Sequence, residues 1–202
     1  GGYELKSWEK FRRPFKVRKT ILIKGYQGML GRAHYVIKAI SSMKDELKSY
    51  QIVIFGCDYE LKKSIQEEGL MNWTNLEVSY KITHEEVMKL MGKTKLYIGN
   101  CISDGMPNTL LEAIVMGGFP IQSNPGGATA EIIQNAKNGY LIEDVENYKE
   151  IRDLIGKALK NNEFLENAVD YNNQYIRPKL EREYIKKLVL EKYGQVEAQL
   201  IK

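Results

Sequence analysis

A chain of 202 residues, 43% hydrophobic and 28% charged, can bury the core of one ordinary globular domain with some extra chain at its ends. A net charge of +4 is too small to argue for nucleic acid as a partner, though it suits a small anionic ligand. No apolar stretch approaches the roughly 20 residues that cross a bilayer, and no signal peptide is recognised. A cytoplasmic setting is therefore expected, with a peripheral place on the inner membrane face as the alternative.

In chain order, basic residues come first: Lys10, Arg12, Arg13, Lys16, Arg18 and Lys19. Residues 1–18 read as a solvated basic leader or linker, with contact to anionic lipid or to another domain as the alternative. The chain starts at Gly1-Gly2 rather than at Met, so a tag remnant or a piece of something longer is expected. Short β-branched runs follow at residues 20–23, 51–55, 76–79, 96–98, 119–122 and 140–142. Several are near-continuous apolar runs, the pattern of strands covered on both faces.

Helical patterns fill the gaps. Residues 33–43 carry Val36, Ile37 and Ile40 on one face. Thr83 and Glu86 form a capping box ahead of Val87, Leu90 and Met91. Tyr148, Ile151, Leu154, Ile155, Ala158 and Leu159 recur at helical spacing. This βαβα rhythm predicts an α/β fold, a Rossmann-like parallel sheet with helices on both faces over residues 19–165. Residues 166–202 are expected to be appended helices. Pro178 would start the last, and Leu180, Tyr184, Leu188 and Tyr193 would form a stripe that needs a partner. Cys57 and Cys101 share no metal-ligand spacing with each other or with His34 and His84, and read as small core or site-wall residues in a reduced compartment.

Ligands of open parallel sheets sit beyond the carboxyl ends of the strands, and three Gly-rich turns fall there. The first, Gly25-Tyr26-Gln27-Gly28-Met29-Leu30-Gly31-Arg32, is a loose phosphate loop. Its Arg32 is either a partner for phosphate oxygens or a surface arginine. His34, just beyond, reads more readily as a surface or packing residue than as a catalytic one. In the second turn, Gly105 lets the backbone approach a ligand and Pro107 fixes its own φ. Asn108 or Thr109 would then cap a helix whose N-terminus attracts anions. Glu112, about one turn in, either complements the helix dipole or accepts hydrogen bonds from the vicinal hydroxyls of a ribose. Asp104 either caps the turn or faces a reacting sugar. The third turn holds Gly126 and Gly127, a plain loop or a close approach of backbone to a sugar.

Asp104 and Glu112, with seven residues between, continue as Ala113-Ile114-Val115-Met116-Gly117-Gly118-Phe119-Pro120. Together with Gly126-Gly127, Glu131-Ile132-Ile133 and Asn138-Gly139-Tyr140-Leu141, the run resembles the E-x7-E region of family 4 retaining glycosyltransferases, in the C-terminal half of their GT-B fold. The likeness spans roughly residues 20–159. It implies Glu112 as the ribose carboxylate, Asp104 beside the donor sugar, and the backbone of Gly105, Met106, Pro107, Asn108 and Thr109 as the diphosphate cradle. Lys81 and Ile82 would receive the nucleobase. The donor would be a UDP- or GDP-linked sugar, transferred with its anomeric configuration kept, in polysaccharide biosynthesis. No metal and no other cofactor is implied, and no Asp-x-Asp motif occurs. An acceptor-binding N-terminal half of the same polypeptide would complete the enzyme, and the final helices would pack on it.

Two departures stand out. Asp104 replaces the commoner Glu. Tyr26 and Gly31 stand where the family presents an Arg and a Lys to the diphosphate, which leaves Arg32 as the neighbouring substitute. Rival readings are a nucleotide-sugar epimerase or phosphorylase-like enzyme on the same half-fold, and a binding module that has lost its phosphate contacts. A dinucleotide-dependent enzyme would find Asp58 in place but lacks G-x-G-x-x-G after the first strand.

Overall fold

A computed structural model describes residues 2–200, with side chains as far as 197. Each predicted strand forms: β1 (Thr20–Lys24), β2 (Gln51–Phe55), β3 (Leu76–Ser79), β4 (Thr94–Gly99), β5 (Phe119–Ser123) and β6 (Tyr140–Ile142). They pair in parallel in the order β3-β2-β1-β4-β5-β6. The expected Rossmann-like sheet is therefore the one observed.

Side chains of a strand alternate between faces, and here the alternation makes two cores. Ile21, Ile23, Ile52, Ile54, Leu96 and Ile98 turn to one face. They meet α2 (Ala33–Ser42), α3 (Tyr59–Glu67), α6 (Tyr148–Lys160) and α7 (Asn162–Tyr171) through residues such as Ile37, Leu61, Ile155 and Leu165. Leu22, Val53 and Tyr97 turn to the other, against Met88 and Met91 of α4 (His84–Lys93) and Leu110 and Ile114 of α5 (Asn108–Val115). The predicted capping box is present: Thr83 accepts from the Glu86 amide while Glu86 accepts from that of Thr83. Helix α7 crosses residue 165, and Leu165, Ala168 and Val169 bury it in the first core.

Two expectations are corrected. The leader is only partly solvated: Lys10, Arg13, Lys16 and Lys19 are exposed, but Trp8 and Phe11 pack on the second core. It contains α1 (Leu5–Glu9), and Arg18 is only 4% exposed. The Arg18 guanidinium donates to the carbonyls of Arg13, Thr94 and Gly117, tying the leader to the start of β4 and to the turn after α5. Arg12 donates to Asn173 Oδ1 at 2.7 Å. The last helix, α8 (Arg182–Leu200), also starts later than expected, because Pro178 lies in a short 3-10 turn at Arg177–Leu180. Leu180 is buried, whereas Tyr184, Leu188 and Tyr193 are exposed. The start of the chain crosses back to this junction: the Tyr3 amide donates to Leu180 O and the Arg182 amide to Tyr3 O.

Candidate functional site

Strand order reverses between β1 and β4, so the loops leaving them diverge and open a crevice at their carboxyl ends. Below the opening the two loops are laced together. Arg32 N donates to Asn100 O at 3.0 Å and Ile102 N to Leu30 O at 2.9 Å. Helix α5 begins beside this seam. Its N-cap is Pro107, and no side chain caps it; Leu110 N and Leu111 N already donate to Pro107 O, so the amides of Asn108 and Thr109 are the ones that remain available to an anion. Asn108 and Thr109 do not cap, contrary to the sequence expectation, because both already lie inside the helix. The Thr109 hydroxyl is 2.7 Å from the phenol of fully buried Tyr97, and the Asn108 carbonyl accepts from Tyr3 OH at 3.3 Å.

Glu112, one turn further in, is 7% exposed. Burial pushes its carboxyl above the usual carboxylate range, opposed by His84 and by the charge of Lys24. His84 Nε2 lies 2.9 Å from Glu112 Oε1, and its ring stands edge-on to Trp8 of α1. Asp104 is partly exposed at the mouth, with Lys24 Nζ 3.8 Å from its Oδ2. Burial, and then Glu112, push the Tyr3 phenol well above its ordinary range. The structure places Asp104, Glu112 and the start of α5 around Lys24, which pairs with Asp104 and whose charge reaches Glu112. It adds Lys24, His84 and Tyr3, which sequence reading missed. The one available signal was a cation ending the otherwise apolar run Thr20-Ile21-Leu22-Ile23-Lys24.

The first Gly-rich loop is spent largely on itself. Gly25 N donates to Phe55 O at 2.7 Å, tying β1 to β2. The amides of Gln27 and Gly28 donate to Asp58 Oδ2, and that carboxylate also caps α3. A Cβ on Gly31 would run into the Tyr26 carbonyl, so no side chain fits there. Gly31→Ala is expected to destabilise the chain by about 2 kcal/mol or more, as backbone strain at a packed turn does. A thermal midpoint unchanged from wild type would refute this. Arg32 binds Glu146 at 2.8 Å and the Gly31 carbonyl at 2.7 Å, turning its guanidinium toward the β6–α6 loop.

Gly126 and Gly127 take φ of 71° and 86° in an exposed turn that any Cβ would strain. Lys81 is exposed and Ile82 half-buried at the entry to α4. Ile82 also borders a separate groove of about 490 Å³ with Lys10, Phe11, Arg13, Glu86 and Lys89, which includes neither Asp104 nor Glu112. Among the described residues, no three His, Cys, Asp or Glu side chains lie together as a metal set. Both thiols are buried; burial pushes Cys57 up to about 11, and Cys101 hydrogen-bonds Ser123.

The family model described as "Glycosyl transferases group 1" matches residues 9–175. Spore coat protein SA of Bacillus subtilis (strain 168) is 23% identical over 167 residues, covering 78% of this chain and 44% of that protein. Among solved structures, a glycosyltransferase from Rickettsia africae ESF-5 has a TM-score of 0.77 at 15% identity, over 96% of this chain and 55% of its own. HepE of Anabaena, solved with UDP and glucose, has a TM-score of 0.75 at 14% identity, over 96% and 55%. The C-terminal domain of a glycosyl transferase group 1 family protein (LpcC) from Francisella tularensis has a TM-score of 0.69 at 17% identity, over 90% and 95%. The chain spans about half the length of the first three and nearly all of the last.

Proposed function

The chain belongs to the group 1 glycosyl transferases, and on that premise we propose that it is the C-terminal, donor-binding half of a family-4-like retaining glycosyltransferase. Its crevice holds a UDP- or GDP-linked sugar. The ribose lies on Glu112, the diphosphate along the backbone of residues 105–109, where Gly105, Met106, Asn108 and Thr109 carry the amide donors, the sugar between Asp104 and Gly126-Gly127, and the base near Lys81 and Ile82. In transfer, the bond from the anomeric carbon to the diphosphate oxygen breaks, one to the acceptor oxygen forms on the same face, and the acceptor hydroxyl's proton passes to the departing diphosphate. The uncapped start of α5 takes up the charge left on the diphosphate, without a metal.

The observation that carries this reading is Glu112: a carboxylate 7% exposed, one turn inside a helix with an open N-terminus, at the point where strand order reverses. A buried carboxylate wants hydrogen-bond donors; His84 reaches only Oε1, and paired ribose hydroxyls can serve the remaining lone pairs of its two oxygens. HepE with UDP and glucose, and the separately folded LpcC domain, support the donor and the half-enzyme respectively. An acceptor-binding half, to which α8 would return, completes the enzyme. The proposed setting is the cytoplasm, with a peripheral place on the inner membrane face as the alternative; no helix among the described residues is long and apolar enough to cross a membrane.

A second reading, a nucleotide-sugar-binding module without transfer, draws on Gly31 and on the Arg32–Glu146 pair, which leave the first loop short of phosphate contacts. Calorimetric titration of the 202-residue chain with UDP, GDP and ADP tests the shared part. Selective binding of one nucleotide is expected, and no binding by folded protein would overturn both readings. Sugar transfer after the acceptor half is restored separates them.

A further inference from the structure

A diphosphate brings two or more negative charges into a crevice that already holds Asp104 and Glu112, and the start of α5 offers only a partial positive charge, so a full cation beside it is favoured. The loop after β1 does not provide one. Tyr26 is neutral, Gly31 has no room for a side chain, and Arg32 is held by Glu146. The amides of Gln27 and Gly28 are already taken by Asp58.

Lys24 is placed differently. It is the last residue of β1, two positions after Leu22, and strand alternation sends it to the Leu22–Tyr97 face that α5 covers. Its Nζ lies 3.8 Å from Asp104 Oδ2, its charge is felt at Glu112 and Cys101, and its side chain is 34% exposed. We propose that Lys24 is the cation that binds the donor's diphosphate, giving up its contact with Asp104 to do so. A long, partly exposed ion pair of this kind is weak, so an arriving phosphate displaces it readily. The exchange also frees Asp104 to face the sugar. This inference rests on the donor-site reading above and adds to it the residue that replaces the family's loop cations.

The test is titration of wild type, Lys24→Met and Lys24→Arg with UDP, GDP and ADP and with the three matching nucleosides, at low and high salt. For the diphosphate that wild type binds, Lys24→Met is expected to lose about tenfold in affinity, the effect of one charge-assisted contact. The loss shrinks at high salt, Lys24→Arg restores most of it, and the nucleoside binds all three proteins alike. Diphosphate affinity unchanged in Lys24→Met overturns this inference and leaves the donor site standing. An equal loss of nucleoside and diphosphate also overturns it, because the residue would then act through the fold or the ribose site. Failure of wild type to bind any of the three diphosphates overturns both.

Discussion

Glu112→Gln is expected to weaken nucleotide binding tenfold to a hundredfold while leaving the empty chain at least as stable as wild type. A charge-assisted hydrogen bond to a buried carboxylate is worth about 1.5–3 kcal/mol, which sets that range. The stability half follows from burial, which raises the Glu112 carboxyl above its unfolded value. The folded chain therefore holds this proton more tightly than the unfolded chain does. Between the unfolded and folded values stability falls as pH rises, and above the folded value the cost is fully present. A neutral Gln removes that cost and keeps the shape. Urea unfolding at neutral and at mildly acidic pH, beside the calorimetry, checks both halves. Equal affinity in the variant would remove Glu112 from the site. A large loss of stability would make it a structural residue instead.

Arg18→Met should be the most damaging change in the leader, costing about 2–4 kcal/mol in urea unfolding, because removing a buried donor strands the acceptors it served. The guanidinium is 4% exposed and bonds three backbone carbonyls, two of them on Thr94 and Gly117 at the ends of distant segments. It stays charged, and among the described residues no carboxylate forms an ion pair with it. Burial and neighbouring Arg12 lower its pKa only to about 10. Methionine can fill the volume but cannot donate. A cost below about 1 kcal/mol would mean that water or relaxed backbone takes over the carbonyls.

The strands were legible because continuous apolar runs have few other uses, and their ends fell within two residues of prediction. Helix α3 escaped because it is nine residues long and shows little beyond Asp58 at its cap and Leu61 and Ile65 on its buried side. Arg18 was misread because its acceptors lie 76 and 99 residues away, and a basic run by itself says nothing of carbonyls that return to meet it. At the site, the Asp104–Glu112 spacing was legible because both acids belong to one turn and helix. Lys24 and His84 reach the same place from β1 and α4, and only the tertiary fold brings them there. His84 was further hidden inside a capping box that fully explains its neighbours.

The division of the interior into two clusters by strand alternation has a consequence for how this chain tolerates change. The sheet acts as a bulkhead. On one side, the cluster of Leu22, Tyr97 and Leu110 is also the underside of α5 and of the crevice. On the other, Ile37, Ile65 and Ile155 support the fold alone. Substitutions placed on opposite sides and well apart fall in different clusters and should combine additively. Those made together beneath α5 should not, because each moves the same eight-residue helix that carries the carboxylate. Repacking for stability therefore has free play behind the sheet, and little in front of it.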